Sequence, residues 1–150
     1  MRSAVAQFID RDGPVYAECG GFMYLTEGIA DMEGRVWPMA GVFPTIARMR
    51  KSLARIGYTE VEISPGETAR GHQFRYSQWL ATTDSTRQAD NLYSVRVRRS
   101  GLVSAEGYGI GGVLGSYVHA HWASNPLVAQ GLVCACHAFA EGRRCRTSCA

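Results

Sequence analysis

The run VYAECGGFMYL, residues 15–25, limits the fold more than any other stretch of this chain. A short β-prone segment, VYAE, ends abruptly at Cys19-Gly20-Gly21, and apolar residues then recur at Phe22, Leu25 and Ile29 with a helical spacing. Strand, tight glycine turn and helix in this order make a layered α/β fold the expectation. Upstream, Ala4, Val5, Phe8 and Ile9 share one helical face, and Gly13-Pro14 stops that helix before the strand.

Period-two patterns take over in the middle of the chain. In GYTEVEI, Thr59, Val61 and Ile63 alternate with Tyr58, Glu60 and Glu62, and in LYSVRVR, Tyr93, Val95 and Val97 alternate with Ser94, Arg96 and Arg98. Both segments predict half-buried strands. Between them, SPGETARGHQFRYS predicts a loop that enters a short strand through Phe74 and Tyr76, and the polar stretch 82–91 predicts a surface loop. GYGIGGVLGSYVHAHW has a glycine-dense start that predicts a loop leading into a strand that ends close to His119. Asn125 then caps a last helix with Pro126 in its first turn. Leu127, Gly131, Cys134, Ala135 and Ala138 or Phe139 form its narrow face, and Gly142 closes it.

Composition removes several classes of function. The 150 residues are 46% hydrophobic and 19% charged, with no apolar run of about 18 residues to cross a bilayer, so no membrane role is expected. The opening MRSAVAQFIDRDG lacks the apolar stretch and cleavage site of a secretory signal, which predicts a cytoplasmic protein whose five cysteines are mostly free thiols. The net charge of +3 comes from arginines partly gathered in RVRRS and EGRRCRTSCA; with no interleaved aromatics these read as solvated faces, and no nucleic-acid partner is expected. The cysteine spacings CxC and CxxxC fit no common zinc site, so no metal is expected.

A cysteine at a strand-to-helix turn suits nucleophilic chemistry, because helix N-terminal N–H groups favour a thiolate and can hold an oxyanion. Spacing alone leaves Cys19 equally readable as a buried small hydrophobe. A nucleophile needs a base, and the histidines are His72, His119, His121 and His137. His137 lies inside the last helix, whereas His119 and His121 fall at a strand end, where α/β proteins gather reactive groups.

Three segments, PVYAECGGFMYL, RGHQFRYS and GSYVHAHWASNP, in this order and at these separations resemble the glutaminase half of the cobyrinic acid (or hydrogenobyrinic acid) a,c-diamide synthase family, from about residue 2 to about residue 141. The resemblance implies a class I glutamine amidotransferase domain over 1–141, flavodoxin-like and three-layered, followed by a basic, cysteine-containing tail over 142–150 expected to be disordered. It implies that Cys19 attacks the side-chain amide of glutamine and forms a thioester, that His119 is its base, and that Gly20 supplies an oxyanion N–H. Through likeness to the family's RGHEFHYS, Arg70, His72 and Tyr76 are implied to line the substrate site. Where many class I relatives carry a glutamate two residues after the histidine, this chain has His121, so a Cys–His dyad with no carboxylate orienter is expected.

The same resemblance implies partners outside this chain. ATP and Mg2+ act in a synthetase domain, and no GxxxxGK[ST] loop occurs in these residues, so the chain itself is expected to need no cofactor. The ammonia goes to the a and c carboxylates of a corrinoid, and a homodimer is a possible assembly. The family's glutaminase half also begins upstream with further strands and a glycine-rich turn carrying a second oxyanion donor. The expectation is therefore an N-terminally truncated domain, short of a donor worth on the order of 3 kcal/mol and active when another polypeptide supplies it. The competing expectations are a catalytically inactive, amidotransferase-like partner or regulatory subunit, and a different cysteine hydrolase of the same layout.

Overall fold

The computed structural model describes residues 1–80 and 89–142. Helix α1 (Arg2–Ile9) leads into strand β1 (Val15–Glu18), and the tight turn at Cys19 opens helix α2 (Gly20–Leu25). The chain then alternates through β2 (Thr26–Ala30), β3 (Val36–Pro38), β4 (Phe43–Met49), β5 (Arg55–Ser64), β6 (Glu67–Arg75), β7 (Ser77–Leu80), β8 (Asp90–Val97), β9 (Val103–Ile110), β10 (Val113–Ser116) and β11 (His119–Ala120). A short 3-10 turn (Trp122–Ser124) precedes helix α3 (Pro126–Ala140). No helix among the described residues is long and apolar enough to cross a membrane.

Seven strands form one sheet in the order β1-β10-β9-β8-β5-β6-β11, with β1 and β10 parallel and the other pairs antiparallel. Four more form a second sheet, β3-β2-β4-β7, in which β2 and β4 run parallel. Helix α2 carries the core. Phe22 is fully buried and touches Phe43 of the second sheet, Trp79 of β7, and Tyr108 and Tyr117 of the first sheet's side, each with ring centroids 5.0–5.2 Å away. Such offset and edge contacts add to the 1.5–3 kcal/mol or so that burying a phenylalanine contributes. The close approach requires Gly115 on β10, because a Cβ there would stand 2.4 Å from Phe22 Cδ2.

Layering follows from the alternation along β10. Gly115 faces Phe22 of α2, while its neighbour Leu114 lines an apolar cavity of ≈ 290 Å³ beneath α3, so α2 and α3 cover opposite faces of the first sheet. Asn125 caps α3 as expected, its side chain accepting from the Leu127 N–H at 3.0 Å. The face of α3 lining the cavity includes Leu127, Val128, Gly131, Leu132 and Ala135, whereas Cys134, expected on that face, is exposed.

Several sequence-based expectations need correction. The helical period through Ile29 is cut at Leu25, because Thr26 turns extended and its hydroxyl lies 2.7 Å from the Met23 carbonyl and 2.9 Å from that of Gly28; Ile29 belongs to β2. The segment expected as a loop over 64–73 is mostly β6, paired with β5 from Glu67 to Arg75. The glycine-dense stretch is the β9–β10 hairpin, not a loop. The loop expected over 82–91 lies largely outside the described residues, and its end is strand, since β8 starts at Asp90. The tail expected to be disordered also lies outside them beyond Gly142.

Candidate active site

Cys19 occupies the junction of β1 and α2 with φ 48° and ψ −106°, a left-handed conformation that few non-glycine residues adopt. Two bonds fix it there: its N–H donates to the Ser116 carbonyl at 2.7 Å, and its own carbonyl accepts from the Met23 N–H at 2.9 Å. The parallel register Glu18↔Ser116 places this turn at the C-terminal ends of both strands. Gly20 follows as the first residue of α2, where N–H groups lack intrahelical acceptors, and a Cβ on it would meet open space. Cys19 itself is half-buried, neither a core thiol nor a freely exposed one.

His119 reaches the same place from the far edge of the sheet. It pairs with His72 across β11 and β6, and the two imidazoles stack with centroids 4.9 Å apart and planes 11° from parallel. Gly71 permits this pairing, since a Cβ there would stand 2.7 Å from the His119 carbonyl oxygen. The His119 Nδ1 lies 3.7 Å from Oε2 of Glu18, the residue just before Cys19. Glu18 is held in turn: its Oε1 accepts from the Ala120 N–H at 2.9 Å and from the Tyr16 hydroxyl at 2.8 Å. Tyr16 sits edge-on to Trp122, and burial, with the adjacent Glu18 carboxylate, pushes its hydroxyl well above the usual tyrosine range.

A second polar group steadies the segment leading to His119. Glu106 is buried; its Oε1 accepts from the Ser116 hydroxyl at 3.3 Å and from the Tyr117 N–H at 3.2 Å, and its Oε2 accepts from the Gln73 side chain at 3.4 Å. Ser116 Oγ accepts from the Val118 N–H at 2.9 Å. The three residues before His119 are thus tied to β9 and β6.

Of the residues singled out in the sequence, His72 and His119 stack on one another, and His119 meets Glu18, the residue that precedes Cys19 and Gly20. Arg70 shares the exposed face of β6 with His72, and its backbone anchors the turn after His119, its N–H donating to Ser124 Oγ and its carbonyl accepting from the His121 N–H, both at 2.8 Å. Tyr76 is placed differently, past the end of β6 with its ring 5.6 Å from that of Phe74 and its carbonyl bonded to the Arg50 N–H. Glu18, Tyr16 and Glu106 were not singled out. The one available signal was the position of Glu18 beside the cysteine, with Tyr16 two residues earlier on the same strand face. No group of three or more His, Cys, Asp or Glu side chains able to hold a metal occurs among the described residues.

A profile of the CobB/CobQ-like glutamine amidotransferase domain matches residues 1–127. The chain belongs to this family. Among curated relatives of this CobB/CobQ-like domain, the cobyrinate a,c-diamide synthase of Leptospira interrogans (serovar copenhageni) is 46% identical over 130 residues, 82% of this chain and 28% of that protein. Those of Syntrophotalea carbinolica and Salmonella typhimurium are 42% and 35% identical over 143 and 140 residues, covering 91% and 87% of this chain and 31% and 28% of theirs. The chain therefore spans less than a third of the length of these relatives. A solved structure described as a glutamine amidotransferase superposes with a TM-score of 0.64 at 15% identity, over 91% of this chain and 68% of its own, which confirms the α/β, flavodoxin-like layout of the family.

Proposed function

We propose that this CobB/CobQ-like domain is the glutaminase part of a cobyrinate a,c-diamide synthase. The observation that carries the proposal is the backbone of Cys19: a half-buried thiol held at φ 48° on a strand-to-helix turn is a nucleophile's position, strained for a residue that had only to pack. In the proposed reaction the Cys19 thiol gives its proton to His119 as Sγ attacks the side-chain carbonyl carbon of glutamine. The Gly20 N–H takes up charge on the oxygen. The C–N bond then breaks, His119 returns the proton to the departing ammonia, and a glutamyl thioester remains on Cys19. Water, deprotonated by His119, cleaves the thioester and releases glutamate.

The ammonia would serve an ATP-dependent amidation of the corrinoid a and c carboxylates. No GxxxxGK[ST] loop occurs in these residues, and we assign the ATP- and Mg2+-dependent step to the rest of such a synthase. His72, stacked on His119, and Arg70, on the same exposed face of β6, are the substrate-lining candidates; Tyr76 is the weaker one by position. Ammonia release from glutamine by this chain tests the proposal, with Cys19→Ser as the zero. Release that depends on Cys19, and that falls at least 100-fold in His119→Ala, is expected; release equal in the chain and in Cys19→Ser overturns it.

A further inference from the structure

We propose that Glu18 is the positioning carboxylate of this site, taking the place left by the absence of a glutamate after His119. The assignment comes from which oxygen does what. Oε1 accepts from both the Ala120 N–H and the Tyr16 hydroxyl, which orients the carboxylate and leaves Oε2 facing Nδ1 of His119 at 3.7 Å. At 3.7 Å the two atoms stand just beyond hydrogen-bond distance, but a carboxylate accepts only, so its charge favours the hydrogen of the neutral imidazole on Nδ1 and leaves Nε2 to take the thiol proton. The same carboxylate stabilises the imidazolium formed when Cys19 ionises. The other group against the imidazole is the His72 ring stacked on it; Cys19 is the residue after Glu18, and His121 lies two residues on along the chain.

Magnitude separates positioning from stabilisation. With the His119 side chain 38% and that of Glu18 24% exposed, water screens the pair, and its contribution to folding is at most about 1 kcal/mol. Orientation of a histidine by its carboxylate is by contrast commonly worth 10-fold or more, roughly, in reactivity. Tyr16 completes the arrangement as a donor, its hydroxyl kept protonated by burial and by Glu18.

Glu18→Gln tests the assignment without emptying the site. Its amide oxygen can replace Oε1 for Tyr16 and Ala120, which forces the NH2 toward Nδ1 and shifts the hydrogen of His119 to Nε2. Two readouts follow that change. Alkylation of Cys19 by iodoacetamide at neutral pH, followed by peptide mass spectrometry, should slow by roughly 10-fold or more, while the exposed Cys134 and Cys136 react at unchanged rates as internal references. Imidazole 15N NMR should show the Nδ1–H tautomer of His119 replaced by Nε2–H; Glu18→Asp, still an acceptor, should keep the original tautomer. A Cys19 alkylation rate within twofold of the parent together with an unchanged tautomer overturns the assignment. The proposal rests on the glutaminase reading only for its consequence in turnover: if the chain lacks Cys19-dependent glutamine hydrolysis yet His119 changes tautomer in Glu18→Gln, the glutaminase reading fails and the positioning role stands.

Discussion

Cys19 carries backbone strain of about 1–3 kcal/mol, and the residue that would relieve it is glycine. Cys19→Gly should therefore raise resistance to urea by about 1 kcal/mol while removing the reactive thiol, a gain in stability that a cysteine serving only to pack would not give. Gly20 offers the complementary test. Its Cβ position is open and its φ is not left-handed, so Gly20→Ala should leave the urea midpoint equal or higher, helix propensity favouring alanine by up to about 1 kcal/mol. The added methyl group would enter open space one residue from Cys19, and labelling of Cys19 by a glutamine analogue should slow even though the fold is intact. A lowered urea midpoint in Gly20→Ala would place that glycine among the structural residues instead.

At the scale of elements, stability concentrates where α2 meets β10. Phe22→Ala should cost about 3–5 kcal/mol, and Gly115→Ala, which drives a methyl group into the same ring, about 1–3 kcal/mol; denaturant unfolding of the two variants measures both. This junction also shows what could be read in the sequence. The strands with apolar inward positions, β5 with Val61 and β8 with Val95, were legible from alternation alone, as was the turn at Cys19. Strand β6 was not, because its inward positions are Ala69, Gly71 and Gln73, small or polar residues that leave no apolar period. The β9–β10 hairpin was hidden by glycines that look like a loop and in fact admit Leu92 over Gly109 and Phe22 over Gly115. At the site, the motif segments pointed to Cys19, Gly20 and His119. Glu18 did not stand out, since its partner His119 is 101 positions away and becomes its neighbour only when β1 and β10 pair and β11 folds onto β6.

The whole molecule is held by aromatic groups shared between two sheets, and tyrosines among them impose a pH limit. Burial, reinforced by the nearby Glu18 or Glu106 carboxylates, raises Tyr16, Tyr93, Tyr108 and Tyr117, Tyr108 to about 12. A raised folded-state value means that the unfolded chain loses these protons first, near pH 10, so their stabilisation is complete below that pH and is lost as pH climbs through the folded values. Each tyrosine can remove up to about 1.4 kcal/mol per pH unit, with less from the half-buried Tyr16, Tyr93 and Tyr108 than from the fully buried Tyr117. The urea midpoint should stay level up to about pH 10 and fall steeply above it; a flat profile to pH 11 would contradict this core.

The chain fills less than a third of its synthase relatives, so its own chemistry is best tested at the thiol and not through a complete amidation. Treatment with diazo-oxo-norleucine, a glutamine-analogue electrophile, followed by mass spectrometry of the intact chain and its peptides, addresses the nucleophile directly. One adduct per chain on Cys19, suppressed by excess glutamine and absent from Cys19→Ser, is expected. Labelling that persists in Cys19→Ser, or that falls on Cys134 and Cys136 while sparing Cys19, would contradict Cys19 as the nucleophile of a glutaminase.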